Sequence, residues 1–328
     1  MNQKSKSSVW KELLPYLILI VIFAVIPGFV NKMFWLNAFI ITFSKMIPTV
    51  SLRIISLSGD MSFAMGCFMG VGAYMSAIAT AKFGLPIWLG IVIAAFISGI
   101  VAVVTGIPFA RLRNLYYCMT SMFLGVFIIY VFQGWDYTGG YQGMRGVPKF
   151  GFSMKGYYYF FLILAVVCIF LMWRFEHCRI GVTLKAISQS HEVAASMGVN
   201  ERFYRLMAIG VGCFFCGVAG ACYAHYTGQV VPSTYGMTLD LWIIMFMMIG
   251  GKKNFFGPII GSAILSMINE SSRVLSTYSP YVACIALLIV AYLLPGGIVS
   301  IPSVISERRK NRKEKNITSG PAAAGKEA

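Results

Sequence analysis

The stretch "IWLGIVIAAFISGIVAVVTGIPF", Ile87 to Phe109, carries no charged residue over 23 positions. A helix needs roughly 20 apolar residues to cross the hydrocarbon core of a bilayer. Further apolar runs occur at Leu13–Phe29, Tyr116–Phe132, Tyr157–Trp173, Leu206–Tyr226 and Pro280–Val299. None alternates apolar with polar residues as a membrane barrel strand does, so the helix is the backbone solution that satisfies every peptide group in lipid. The composition agrees: 58% of residues are hydrophobic and 12% charged, with a mean hydropathy of +0.75. The fold class expected is all-α, a polytopic transmembrane helical bundle.

The net charge of +16 does not point to nucleic acid. The basic residues gather at the ends of apolar runs and in the tail, where they orient spans and attract anionic lipid. No basic groove interleaved with aromatic side chains is present. Seven of the eight cysteines fall inside predicted spans, so no disulfide framework is expected; Cys213 and Cys216, a CxxC, read as small packing residues on one helix face. Lys4, Lys6 and Lys11 precede the first apolar run without a small-x-small cleavage signal, which predicts a retained first helix.

Counting basic residues loop by loop predicts ten spans (eight to ten), both termini on the cytoplasmic side and outer loops at 134–156 and 227–238. The second to tenth spans are expected near Phe34–Ser56, Met61–Ala81, Ile87–Ile107, the run ending at Phe132, the run ending at Arg174, the run to Tyr226, Leu239–Ile249, Gly257–Ile268 and Pro280–Ser300. The eighth and ninth are short, and "SLSGDMSFAMG" and "GGKKNFFGPIIG" are broken by Gly and Pro. Such pieces are tolerated where protein or a watery path covers them, as in transporters. The GxxxG pairs Gly66/Gly70 and Gly257/Gly261 read as close helix packing.

No catalytic set is found: no HExxH, no paired carboxylates at helical spacing, no Ser/His/Asp group, and no GxxxxGK[ST] phosphate loop. An intramembrane enzyme would have to rely on His191 or His225. The eleven acidic residues are expected at span ends, in loops or in tails, which disfavours an ion-coupled carrier.

One polar segment interrupts the apolar chain: "KAISQSHEVAASMGVNERFYR", Lys185 to Arg205. Ser188 and Ser190 are N-cap candidates, Glu192 suits a first turn, and Gly198 suits the C′ position. A helix of about two turns, Ser190 to Met197, is predicted. It is marginal alone, so it packs either on the protein's own span ends or in another protein's groove, where Ala194, Ala195 and Gly198 permit close approach.

This segment resembles the cytoplasmic loop of branched-chain amino-acid ABC importer permeases of the LivM/LivH type, through Ala186, Ile187, Glu192, Ala194, Ala195, Gly198 and Asn200. Other blocks resemble the family in the same order. They are "LSGDMSFAMGCFMGVGAY" (Gly59, Ser62, Gly66, Gly70, Gly72, Ala73, Tyr74), "RLRNLYYCMTSM", "TGGYQGMRGVP", "MMIGGKKNFFGPIIGSAIL" and "PGGI". The second of these points to the LivM branch. Departures are Asn114 where Gly is usual, Asp60 where Gln is common, and Lys252/Lys253 after Gly251.

The resemblance implies a permease subunit of an ATP-driven importer in the bacterial cytoplasmic membrane. Its expected partners are a second LivH-like permease subunit, two cytoplasmic ATPase subunits, an extracytoplasmic substrate-binding protein and the lipid bilayer. No cofactor is expected on this chain; ATP and Mg belong to the ATPase subunits. The expected layout is a cytoplasmic segment over 1–12, a transmembrane permease domain over 13–302 with a cytoplasmic coupling loop at 175–205, and a basic cytoplasmic tail over 303–328, expected to be disordered. Ser190, Glu192, Ala194, Ala195 and Gly198 are the expected ATPase-coupling residues. Ser58, Asp60, Ser62, Phe68, Tyr74, Thr138, Gly139 and Gly140 are candidates for the substrate path, because broken helix ends free backbone groups to meet a zwitterionic cargo. Tight helix packing is the competing reading of the glycines among them. The implied cargo is a branched-chain or other amino acid, with amides and carboxylates open; the alternative class is an ATP-independent carrier or channel.

Overall fold

The computed structural model describes Phe23 and residues 32–112, 114–251 and 254–272. The expected first and tenth spans, segment 1–12, tail 303–328 and Lys252/Lys253 lie outside the described residues. Ten α-helices are described: α1 (Met33–Ser56), α2 (Met65–Ala81), α3 (Ile87–Phe109), α4 (Asn114–Gly134), α5 (Met154–His177), α6 (Arg179–Gln189), α7 (His191–Ser196), α8 (Glu201–Thr227), α9 (Met237–Gly250) and α10 (Phe256–Ser272). The protein is an all-α helical membrane protein.

The count of ten spans is not reproduced among the described residues. Six stretches are long and apolar enough to cross a bilayer: α1, α3, α4, α5, α8 and Pro232–Gly250. Helix α2, with 17 residues, is a shorter apolar helix. At 1.5 Å per residue it reaches only about 25 Å, and the extended turn 57–64 precedes it. The eighth span, expected over Leu239–Ile249, is longer. A 3₁₀ turn, Pro232–Tyr235, leads into α9, and together they make a 19-residue stretch. Proline starts that turn without losing a needed N–H.

Helix α1 is the interior helix, 94% buried over its apolar window, against 28% for α4. A helix that is apolar all round belongs in the core. Three of its hydroxyls are satisfied within the helix: Thr42 donates to Ala38 O (2.8 Å), Thr49 to Lys45 O (2.7 Å) and Ser51 to Ile47 O (3.0 Å). This offsets the cost of burying polar groups away from water. Helices α3 and α4 instead leave apolar stripes exposed, including Phe96, Ile100 and Val104 on α3 and Phe123, Phe127 and Tyr130 on α4. In a membrane these faces meet lipid or another subunit.

Helix α8 packs on α1, α2 and α3, and glycine sets the approach. A Cβ on Gly72 of α2 would sit 2.4 Å from Gly217 Cα of α8, so any larger residue must push the helices apart. The GxxxG glycines are close-packed too, Gly70 against Tyr235 and Gly261 against the Phe246 carbonyl. Cys213 and Cys216 are fully buried free thiols, Cys216 lying 3.8 Å from Met65 Sδ. At the end remote from α6 and α7, two short strands, β1 (Met144–Arg145) and β2 (Gln229–Val230), pair antiparallel with Met144 opposite Val230. They pin together the two loops expected to face outward.

Candidate functional site

The local reading of the polar segment holds in detail. Helix α7 begins at Ser190, whose Oγ accepts from Val193 N (3.4 Å). Glu192 occupies the first turn, and Gly198 follows the helix with φ +77°. Ala194 is the buried face; Glu192, Val193, Ala195, Met197 and Gly198 point away from the protein. This six-residue helix and its C-cap residue therefore display two large apolar side chains, Val193 at 61% and Met197 at 79% exposure. The 11-residue α6 before it was not foreseen, because Arg179 and Lys185 read as loop. Its Gly181, Leu184 and Ile187 recur at three-residue spacing and face inward.

Ion pairs wire this region to the spans. Glu176, at the end of α5, accepts from Arg53 of α1 at 3.0 Å (Nε to Oε2) and 2.9 Å (Nη2 to Oε1). Lys185 of α6 closes on the same carboxylate at 2.8 Å. Arg205, in the second turn of α8, lies 2.6 Å from Asp60 and donates to the carbonyls of Ala110 (2.9 Å) and Leu112 (2.6 Å) at the end of α3. Arg205 and Asp60 are both buried. Asp60 Oδ1 accepts from Asn114 N (3.3 Å), while Ser58 Oγ, which also donates to Ile55 O, lies 3.3 Å from Oδ2, the oxygen that meets Arg205. Two departures from the family pattern thus meet at one point. Asn114 has φ +50°, a conformation that glycine adopts freely and asparagine tolerates better than most.

The eight path candidates do not converge. Ser58 and Asp60 lie near α6, Gly59 packing on Ser188. Thr138, Gly139 and Gly140 follow the far end of α4, about 30 Å away along a 21-residue helix. There Thr138 donates to the carbonyls of Phe132 and Trp135, both at 2.7 Å, and Gly139 and Gly140 turn with positive φ. Ser62, Phe68 and Tyr74 are buried. Tyr74 stacks on Phe132 with centroids 4.4 Å apart and reaches Val230 O at 3.4 Å, beneath the strand pair. The Phe68 carbonyl accepts from Ser98.

A cavity of about 490 Å³ lies elsewhere, between α1, α9 and α10. Ser44 and Lys45 of α1 line it, with Thr238 and Trp242 of α9 and Asn269 and Glu270 of α10. Lys45 Nζ stands 3.3 Å from Glu270 Oε1. Sequence reasoning missed this pair because Glu270 fell just past the expected ninth span, whereas α10 runs on to Ser272. Asp240, in the first turn of α9, and Glu270, two residues before the end of α10, lie at helix ends as expected, but both are buried. Asp240 is satisfied there by accepting from Gly66 N at 2.6 Å.

A family model described as the permease component of branched-chain amino acid transport systems matches residues 34–295. The high-affinity branched-chain amino acid transport system permease protein LivM of Escherichia coli K12 is 24% identical over 256 residues, covering 69% of this chain and 60% of that protein. The fructose import permease protein FruF of Bifidobacterium longum is 22% identical over 237 residues, covering 69% and 66%. The nucleoside ABC transporter permease protein NupC of Lactococcus lactis is 25% identical over 239 residues, covering 65% and 73%. The chain thus matches about 60% of the length of its LivM relative. No solved structure matches it. With the family match running from α1 to beyond α10, the chain belongs to the permease-component family of branched-chain amino acid transport systems.

Proposed function

We propose that this chain is a membrane-spanning permease subunit of an ATP-driven importer, carrying a small polar or amphipathic solute, a branched-chain or other amino acid, across the bacterial cytoplasmic membrane. Its partners in this reading are a second LivH-like permease subunit, two ATPase chains that bind ATP and Mg, and an external binding protein. The end bearing α6 and α7 is cytoplasmic, because Arg53, Arg111, Arg174, Arg179, Lys185, Arg202 and Arg205 gather there. One observation carries the proposal: α7 presents Val193 and Met197 outward while ion pairs and packing tie its neighbours to the ends of α1, α3, α5 and α8. A push on α7 by a partner is then transmitted to several spans at once. Ser190, Glu192, Ala194, Ala195 and Gly198 shape that contact. Thr138–Gly140 and Tyr74 support the outer mouth, and Ser58–Ser62 with Phe68 belong to the inner and central packing that moves with the cycle. Gly198→Trp and Ala195→Arg should abolish uptake while the protein still inserts; normal ATP-dependent uptake by both variants would sink the coupling assignment.

A second reading, an ATP-independent carrier, gains from the pairing of half-buried Lys45 with buried Glu270, since intramembrane charges often mark ion pathways. Uptake into vesicles separates the two. The importer requires internal ATP and survives collapse of ion gradients; a carrier behaves in the opposite way.

A further inference from the structure

On the outward face of α3, Phe96, Ile100, Val104 and Ile107 recur at helical spacing and are 57–59% exposed. Helix α8 crosses α3 closely here. A Cβ on Gly99 would lie 3.3 Å from the Gly210 carbonyl oxygen, and one on Gly210 2.7 Å from Val103 Cγ2. Around the two glycines the helices wall an open apolar groove of about 500 Å³, at one end of which Phe96 and Phe214 meet edge to face at 5.2 Å. At the other end Leu206 lines both this groove and a second hollow of about 390 Å³, which also holds Ile107, Arg111 and Arg202. From Phe96 to Ile107 the helix rises about 16 Å, close to half of a hydrocarbon core of about 30 Å. The groove is therefore one leaflet long, with two arginines at its headgroup end.

Those arginines differ from their neighbours. Arg53 and Arg205 are buried and held by Glu176 and Asp60. Arg111 and Arg202 are exposed, and their guanidinium groups make no ion pair or hydrogen bond among the described residues. Glu201, next to Arg202 in the chain, turns instead to His191 at 3.4 Å. The carbonyls on either side of Arg111, those of Ala110 and Leu112, are already taken by Arg205. Arg202 stands in the first turn of α8, where the helix dipole opposes a cation and favours an anion.

We propose that this groove binds an anionic phospholipid, its phosphate held by Arg111 and Arg202 and one acyl chain lying along Gly99 and Gly210 between α3 and α8. Guanidinium and phosphate match in charge and in planar, bidentate geometry, and basic pockets between spans are known headgroup sites. One molecule supplies both chemistries at the spacing the groove sets. A helix from another subunit covers the apolar groove but leaves the arginines unpaired, and a soluble anion pairs them but leaves the groove open. A zwitterionic lipid brings its own cation towards two guanidiniums. Which leaflet supplies the lipid rests on the orientation given above; the site itself does not.

The test uses the full chain, delipidated in detergent and titrated with dioleoyl phosphatidylglycerol under native mass spectrometry, with dioleoyl phosphatidylcholine and glycerol 3-phosphate for comparison. One phosphatidylglycerol should be retained more tightly than phosphatidylcholine, and glycerol 3-phosphate should not displace it. Arg111→Gln and Arg202→Gln should each weaken its binding about 5-fold, and together about 30-fold. Arg111→Lys with Arg202→Lys should keep most of the affinity. Arg174→Gln with Arg179→Gln removes the same charge from the same end without touching the groove, and should change nothing. Val104→Trp, at an exposed position that the fold tolerates, should fill the groove and reduce retention to the level of phosphatidylcholine. Equal affinity for the two lipids overturns the site, as does an equal loss in R174Q/R179Q and R111Q/R202Q. Phosphatidylglycerol binding untouched by Val104→Trp overturns it too; if that variant changes the oligomeric state instead, the groove belongs to a second subunit. No arm depends on ATP or on a transported solute, so the importer reading stands or falls separately.

Discussion

Arg205 Nη2 meets Asp60 Oδ2 at 2.6 Å, joining the start of α8 to the turn between α1 and α2. The same guanidinium holds two carbonyls at the end of α3, and Tyr117 of α4 lies beneath it with the ring centroid 5.6 Å away. One side chain thereby ties three inter-helix junctions. Such a buried pair contributes less by its own attraction than it costs when one half is removed, because the remaining charge is then buried alone.

Asp60→Asn and Arg205→Met should each destabilise the protein by about 3–5 kcal/mol. The double variant should be less destabilised than the sum of the two. Melting followed with a thiol-reactive dye can report this, since Cys67, Cys213, Cys216 and Cys222 are free and buried. Full additivity of the two losses would show that the pair is not coupled.

Asn114 tests backbone strain in the same cluster. Its φ of +50° predicts that Asn114→Gly keeps or raises stability, whereas Asn114→Val loses about 1–2 kcal/mol. Equal melting temperatures for the two variants would contradict a left-handed requirement here.

The α2–α8 contact should reject any side chain at Gly72. Gly72→Leu is expected to prevent accumulation of folded protein, since overpacking typically costs about 1–3 kcal/mol and backbone here offers no relief. Gly134→Ala, where a Cβ meets no atom within 4 Å, is the matched control and should behave like wild type. Comparable membrane levels of both variants would mean that the helices separate at little cost.

Ser190 caps α7 through its Oγ. Ser190→Ala should cost about 1 kcal/mol of local helix stability, and Ser190→Asp should restore it. Because α7 is short, the loss should appear as faster amide exchange over 191–196 and as lower solute uptake per ATP hydrolysed. Uptake unaffected by Ser190→Ala would separate the cap from the coupling function.

The membrane class, most helix positions and the limits of α7 were legible in the sequence because each depends on local chemistry. Apolar length, cap residues and glycine at a C′ position act within a few residues of one another. The split of the path candidates was not legible. Ser58–Ser62 and Thr138–Gly140 carry similar broken-helix patterns, and only the 21-residue span of α4 between them shows that they occupy opposite ends. Lys45 and Glu270 were passed over for a related reason: each is an ordinary charge in its own neighbourhood, and their cavity exists only once α1 and α10 lie side by side.

By itself, then, the sequence determined that this is an all-α membrane permease with a capped polar helix in one loop, since hydrophobic length and capping are properties of contiguous residues. Tertiary structure alone decided which charges meet: Arg53 with Glu176, Arg205 with Asp60, Lys45 with Glu270. Buried ions demand partners, and which partner each finds depends on how helices distant in sequence pack together.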